Sequence, residues 1–201
     1  MNLVKLDRLL RNRELSWLAL FAIVIIPLGT YLFATNESPY RYTMSMMGNR
    51  MGYRLNFIIW GIVTGIMLGF FIIRLFVLKS FKDPRSRKLL VWSLVFLLLT
   101  VLIPSVESLP LLSKLHTLSA ALFGLSLIAS LYLFTKHLED KSPRVYTWGM
   151  VMIHIIIGGP LVLLFLFGMN AIFQLFFFFS ISIFLAILKL KLTRKNKTVQ
   201  T

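Results

Sequence analysis

The sequence predicts an all-α membrane protein: one bundle of six transmembrane helices with both termini in the cytoplasm. Hydrophobic residues make up 58% of the 201 residues and charged residues only 14%, whereas soluble domains carry about 25% charged residues. Six apolar runs approach the length of about 20 residues that crosses a hydrocarbon core. Lys and Arg cluster between alternate runs. Together these observations exclude a single water-soluble core.

Each predicted span is an almost uncharged run bounded by polar or charged residues. The six spans are Leu15–Ala34, Leu55–Arg74, Leu89–Val106, Leu115–Phe134, Tyr146–Phe167 and Ala171–Lys189. The longest connection is residues 35–54, so we expect one membrane domain over residues 1–201 and no soluble domain. Span 1 follows a basic segment as a signal peptide does, but its run exceeds the usual length of about 7–15 residues, and we expect it to stay uncleaved.

The distribution of basic residues predicts the orientation. The chain has 22 Lys and Arg and a formal net charge of +15. The cations assigned to the cytoplasmic side are Lys5, Arg8, Arg11, Arg13, Lys79, Lys82, Arg85, Arg87, Lys88, Lys136, Lys141, Arg144, Lys189, Lys191, Arg194, Lys195 and Lys197. Only Arg41, Arg50, Arg54 and Lys114 lie on the other side. The positive-inside rule therefore predicts that both termini are cytoplasmic and that the spans lie in a cell membrane. Anionic lipid at the basic face accounts for the charge without nucleic acid.

Small residues in two spans predict close helix packing. Gly61, Gly65 and Gly69 share one face of span 2, and Ala120 and Gly124 offer small positions in span 4. Small residues let helix backbones approach each other in lipid. We expect spans 2 and 4 to pack within one chain; the alternative is a homodimer through the same face.

Prolines predict kinks in two spans. Pro27 lies in span 1, and Gly158, Gly159 and Pro160 lie in span 5. A proline removes one backbone hydrogen bond and clashes with the carbonyl four residues earlier. His154 is six residues before Pro160, and an ionisable residue within a span is a candidate ligand-binding residue. A structural hydrogen bond to a neighbouring helix is the alternative role for His154.

The sequence lacks a recognisable catalytic set. Its three histidines are predicted to lie at different depths, so no two of them meet at one metal, and no carboxylate falls within a span. Phosphate-binding loops, nucleophile elbows and dinucleotide fingerprints are absent. The chain also has no cysteine. We expect no cofactor and no metal, and the sequence favours a protein that is not an enzyme.

Polar residues converge on the predicted outer side. The loop Asn36–Arg50 contains three methionines and two tyrosines, which make it too apolar for a solvated connector, so we expect it to dip into the interface or cap the bundle. A carboxylate, a histidine, an arginine and an amide lie close to it in the predicted topology. The candidate ligand-binding residues are Ser45, Arg54, Asn56, Trp60, Glu107, His116 and, within the membrane, His154.

Short motifs resemble a known family. They are Ser45-Met46-Met47-Gly48-Asn49, Arg54-Leu55-Asn56-Phe57 with Trp60-Gly61, and Pro104 followed by Leu115-His116, Ala120 and Phe123. This combination resembles the bacterial six-span family called domain of unknown function 998, which is similar to the Frag, DRAM and Sfk type membrane proteins. The resemblance implies six spans and a link to lipid, and it carries over no activity.

Three functions agree with these observations. The first is a non-enzymatic membrane protein that binds a lipid or amphiphile, or modulates a membrane partner, through its outer face. The second is the six-span substrate-binding subunit of a small-molecule importer. The third is an intramembrane enzyme acting on lipid, with His116 or His154 as acid or base. A single histidine without an orienting partner is a weak catalyst, so the enzyme ranks last.

Overall fold

The computed structural model describes residues 14–106 and 108–194, with side chains over 23–106 and 108–192. Over these residues the chain forms seven α-helices and no strand, which confirms the all-α class. The helices are α1 (Glu14–Ala34), α2 (Met44–Arg50), α3 (Arg54–Leu78), α4 (Pro84–Leu102), α5 (Pro110–Lys136), α6 (Pro143–Phe167) and α7 (Ala171–Arg194). Glu107 and the terminal cations up to Arg13 and from Lys195 onward lie outside the described residues.

The six long helices form a closed ring. Helix α1 packs against α3 and α7, and the ring continues from α3 through α4, α5 and α6 back to α7. The pair α4 and α5 is the most extensive, and the pair α5 and α6 is the least. We call the end at which α3, α5 and α7 begin the α2 end, and the opposite end, at which α4 and α6 begin, the basic end.

Within residues 14–106 and 108–194, four helices are long and apolar enough to cross a membrane: α3, α5, α6 and the part Ala171–Leu192 of α7. The described apolar part of α1, Ile23–Ala34, is shorter. Helix α4 begins with Arg85, Arg87 and Lys88, which shorten its uncharged stretch. The described part of the chain is therefore all-helical, with four helices of membrane-spanning length, and the count of six spans stays a prediction.

The short helix α2 covers one end of the ring. Thr43 caps it, because its hydroxyl accepts a hydrogen bond from the Met46 backbone N–H at 3.1 Å. Met44 and Met47 are completely buried, against residues that include Phe33 and Phe57. The apolar methionines thus hold the loop against the bundle, as expected from its composition.

The glycine face of α3 packs against α4, not against α5 as expected. A Cβ built on Gly61 would lie 2.3 Å from Val101 Cγ1, and one on Gly69 would lie 2.7 Å from Leu94 Cδ1. The packing is intramolecular, but the prediction of a pairing between spans 2 and 4 was wrong about the partner. Ala120 and Gly124 line a cavity instead. The order of the helices around the ring places α3 beside α4. The small residues alone do not encode this order.

The two proline-containing helices are continuous. Helix α1 runs through Pro27, and α6 runs through Gly158, Gly159 and Pro160 without a break. Because Pro160 has no N–H, the carbonyl of Ile156 lacks its usual helical donor.

At the basic end, His137 lies just beyond α5. Its ring packs on Phe81 with the ring centres 4.9 Å apart, and its Nε2 accepts a hydrogen bond from the Lys141 ammonium at 3.0 Å. Partial burial lowers the pKa of His137, and the positive charge of Lys141 lowers it further. Both effects favour the neutral form of the imidazole.

Candidate functional site

A cavity of about 420 Å³ lies inside the ring towards the α2 end. Every helix except α1 contributes to its walls, which are mainly aliphatic and aromatic. His116 and Ile128, near its two ends, are twelve residues apart on α5, which corresponds to about 18 Å along the helix axis. The hydrocarbon of one bilayer leaflet is about 15 Å thick, half of the 30 Å core. The stretch of α5 that lines the cavity is therefore about as long as one leaflet of hydrocarbon is thick.

The cavity opens sideways between α5 and α6. The two helices approach near the basic end, where a Cβ on Gly149 would lie 2.7 Å from Thr135 Cγ2. Farther along, they form opposite walls of the cavity. Wall residues Leu125, Ile157 and Leu161 are 65%, 41% and 60% exposed. Since these side chains belong both to the cavity and to the outer surface of the ring, the cavity communicates with the surroundings of the bundle.

Gln174 presents an amide donor at the polar end of the cavity. Its Oε1 accepts a hydrogen bond from the Met44 backbone N–H at 2.8 Å. A backbone N–H can only donate, so this bond fixes the oxygen towards Met44 and the NH₂ group away from it. The NH₂ group makes no hydrogen bond to a described residue, and Gln174 lines the cavity. Its two N–H donors are therefore available to a ligand.

His116 and Arg54 satisfy carbonyl groups at the end of α4. His116 Nδ1 donates to the Ile103 carbonyl at 3.0 Å, and Arg54 Nη2 donates to the Leu102 carbonyl at 2.5 Å. Arg54 Nη1 also donates to Asn49 Oδ1 at 2.5 Å, which ties α2 to the bundle. These carbonyls lack helical donors because α4 ends here. Both side chains therefore hold the α2 end together, and His116 additionally lines the cavity.

Aromatic rings form the wall of the cavity nearest α1. Phe57 and Trp60 stack with ring centres 5.7 Å apart, and Phe178 meets Trp60 edge-on at 5.1 Å. Trp60 Nε1 donates to the buried hydroxyl of Thr30 at 3.1 Å. With its one polar atom satisfied, Trp60 presents an apolar surface to the cavity.

The structure brings together most of the candidate site residues predicted on the outer side. Ser45, Trp60 and His116 line the cavity, and Arg54 lies beside it. Ser45 Oγ and Thr43 Oγ1 share a hydrogen bond of 3.0 Å. These residues therefore lie together at the α2 end, and their role in binding a ligand stays a prediction.

Two candidate residues lie elsewhere, and a third lies outside the described residues. Asn56 lines a different groove of about 370 Å³ between α1 and α3. His154 is exposed, and its one hydrogen bond to a described residue joins it to the Met150 carbonyl of its own helix, at 2.7 Å. It therefore faces away from the cavity, and it bonds to its own helix, not to the neighbouring one that the structural alternative assumed. Glu107 is not among the described residues.

The sequence analysis missed Gln174, Met44 and the phenylalanines that line the cavity. Gln174 is the one carboxamide in the predicted span Ala171–Lys189. A polar amide within an apolar span indicates a candidate binding residue, so this residue could have been predicted from the sequence. Phe173 and Phe177 also line the cavity. Their sequence carries no information on which side faces α5.

The described residues contain no cluster of three or more His, Asp or Glu that could hold a metal ion. Comparisons of the chain with protein-family models, with curated proteins and with solved structures found no match. Among the described wall residues, His116 is the one titratable side chain. The arrangement suits the binding of an apolar molecule with a small polar end.

Proposed function

We propose that this chain is a six-span membrane protein that holds a lipid or similar amphiphile in the cavity between α5 and α6, without chemically changing it. The observation that carries the proposal is a mainly apolar cavity that opens sideways between two helices of membrane-spanning length. In a bilayer such an opening faces lipid chains. An acyl chain can therefore enter without crossing water.

The size and lining of the cavity support a ligand of this kind. Ligand sites occupy about 300–1,000 Å³ and combine apolar walls with a few placed polar groups. Here the polar wall residues Ser45, Thr100, His116 and Gln174 all lie near the α2 end, and the walls beyond them are apolar. A headgroup at the α2 end with a chain extending towards Ile128 matches this division.

We further propose that the α2 end faces outwards and that both termini are cytoplasmic. Helices α4 and α6 begin beside the connections that carry the clustered cations, and such cations prefer the cytoplasmic side. The ligand then lies in the outer leaflet. The basic end contacts anionic lipid, which attracts each surface cation by about 1 kcal/mol. The resemblance to a lipid-linked six-span family remains a prediction that agrees with this assignment.

Filling the cavity should remove the ligand. We expect the protein, extracted in mild detergent, to retain a lipid in native mass spectrometry. Ala120→Phe places a ring in the cavity and should weaken binding by at least about tenfold, which corresponds to ~1.4 kcal/mol. Leu118→Phe is the matched control, because Leu118 is on the same helix but 55% exposed and outside the cavity. Equal lipid retention in both variants, or lipid-free wild-type protein, contradicts the proposal.

The orientation can be tested with single cysteines, because the native chain has none. Ser38→Cys, before α2, should react in intact cells with a membrane-impermeant maleimide. Lys141→Cys, between α5 and α6, should react only after the membrane is permeabilised. Both residues lie in loops, so neither change disturbs a helix. The reverse labelling pattern contradicts the proposed orientation.

A further inference from the structure

Gln174 is a specificity-determining residue for the headgroup of the bound molecule; this inference rests on the proposed function. We propose that the cavity selects an acyl chain whose polar end carries oxygen acceptors, as a carboxylate, ester or phosphate does, and rejects a cationic end. The assignment follows from the orientation of one amide and from the charges around it.

The orientation of the amide is fixed by a distant contact. Met44, 130 residues earlier in the chain, donates its backbone N–H to Gln174 Oε1 at 2.8 Å. Rotating the amide by 180° would place its NH₂ group against the Met44 N–H, and the hydrogen bond between Met44 and Gln174 would be lost. The side chain therefore offers N–H groups to the cavity, and these groups bind acceptors only.

The surrounding charges agree with the amide donors. The described cations at the α2 end are Arg41, Arg50, Arg54 and Lys114, against the single described carboxylate of Glu37. Arg54 lies next to the polar end, because it and His116 bond to consecutive carbonyls of α4. A positive field favours an anionic or acceptor headgroup and opposes a cationic one. No acidic side chain lines the described walls to offset it.

The test compares three amphiphiles with the same sixteen-carbon chain: hexadecanoate, hexadecanoyl lysophosphatidylglycerol and hexadecyltrimethylammonium. Competition against a retained fluorescent fatty acid, in delipidated protein at pH 8, gives their relative affinities. We expect the affinity for at least one oxygen-bearing amphiphile to be at least about tenfold higher than the affinity for the ammonium compound. The stronger of the two identifies the source of the headgroup, a free fatty acid or a phospholipid.

Gln174→Glu is the decisive variant. A carboxylate keeps one oxygen for the Met44 N–H, so α2 stays in place, but it replaces the N–H donors with a second acceptor. We expect the ratio of the affinity for the oxygen-bearing amphiphile to the affinity for the ammonium compound to fall from about ten to about one, or below one. If this variant fails to fold, Gln174→Met, which removes the donors, should also abolish the preference. Asn56→Asp is the control, because it adds the same charge at the α2 end outside the cavity.

The outcomes separate the inference from the function on which it rests. Equal wild-type affinities for all three amphiphiles, or an unchanged preference in Gln174→Glu, overturn the role of Gln174 while leaving lipid binding intact. Failure of all three to compete, or competition unaffected by Ala120→Phe, overturns the proposed function itself. Loss of preference in Gln174→Glu but not in Asn56→Asp supports both.

Discussion

Gly159→Ala should be strongly destabilising, whereas Gly158→Ala should not. A Cβ on Gly159 would lie 2.1 Å from Phe176 Cε1 and 2.5 Å from Cζ, inside the contact distance of any two carbon atoms. The ring belongs to α7, so either the Phe176 side chain must turn away or α6 and α7 must separate. At Gly158 a Cβ meets no atom within 4 Å. Adding one methyl group at each of these neighbouring glycines therefore tests the contact between Gly159 and Phe176, with Gly158 as the control.

A second cost applies to Gly159 alone. It precedes Pro160, and a proline ring clashes with the Cβ of a preceding residue in helical conformation. Glycine has no Cβ, which lets α6 continue through the proline. Overpacking costs about 1–3 kcal/mol, and we expect Gly159→Ala to lose roughly that much stability. Gly158→Ala should be neutral or slightly stabilising, since alanine favours a helix by about 0.5–1 kcal/mol.

Thermal unfolding in detergent measures this difference. A loss of 2 kcal/mol should lower the midpoint by roughly 4–8 °C for a chain of this size. The midpoint for Gly158→Ala should lie between that of the wild type and about 4 °C above it. Equal midpoints for both variants would show that α6 and α7 do not pack as described.

Gly61→Ala should produce the second large loss of stability. The added Cβ would lie 2.3 Å from Val101 Cγ1, and 3.1 Å from both Cβ and Cγ2 of the same valine. Valine in a helix has essentially one side-chain rotamer, so it cannot turn away. The helices α3 and α4 must move apart, at a cost of about 1–3 kcal/mol.

Two matched variants isolate this contact. Gly65→Ala is the control, because its Cβ would lie 3.4 Å from Leu97 Cδ2, the end of a flexible side chain. Val101→Ala should rescue Gly61→Ala, so that the double variant is more stable than the single one in unfolding experiments. If Gly61→Ala leaves the unfolding midpoint unchanged but disrupts an oligomer on size-exclusion chromatography, the glycine face joins two copies and the intramolecular packing is wrong.

The fold class was predictable because composition and charge placement are properties of the chain itself. Four predicted spans correspond to helices of membrane-spanning length, within a few residues at most of their ends. The cap formed by α2 was also predictable, since Met44 and Met47 cannot be left in water. These features depend on what each segment contains, not on its neighbours.

The partner of each helix face was not predictable in the same way. The glycines of α3 indicate a close approach but do not say that Val101 and Leu94 of α4 fill it. Neighbouring residues on a helix point about 100° apart. Phe57 therefore faces the cavity while Asn56 faces α1. A sequence motif that contains both residues does not show which of them lines the cavity.

The site depended on contacts between distant segments. Ser45, Trp60 and His116 were found because their polar or amphipathic side chains lie near predicted span ends. The amide of Gln174 is oriented by its hydrogen bond from the Met44 N–H. These two residues meet only because the helices close into a ring. His154 was a candidate because of its residue type, and the structure turns it outwards.

The central claim is that a lipid chain occupies the cavity, and photo-crosslinking in native membranes tests it most directly. A fatty acid carrying a diazirine near the middle of its chain should label the buried wall residues Phe123, Ile156 and Phe178, which are at most 5% exposed. Ala120→Phe should abolish this labelling while leaving the labelling of exposed Phe165 unchanged. Labelling confined to outward residues such as Leu118 and Phe165, and unaffected by Ala120→Phe, would contradict the claim.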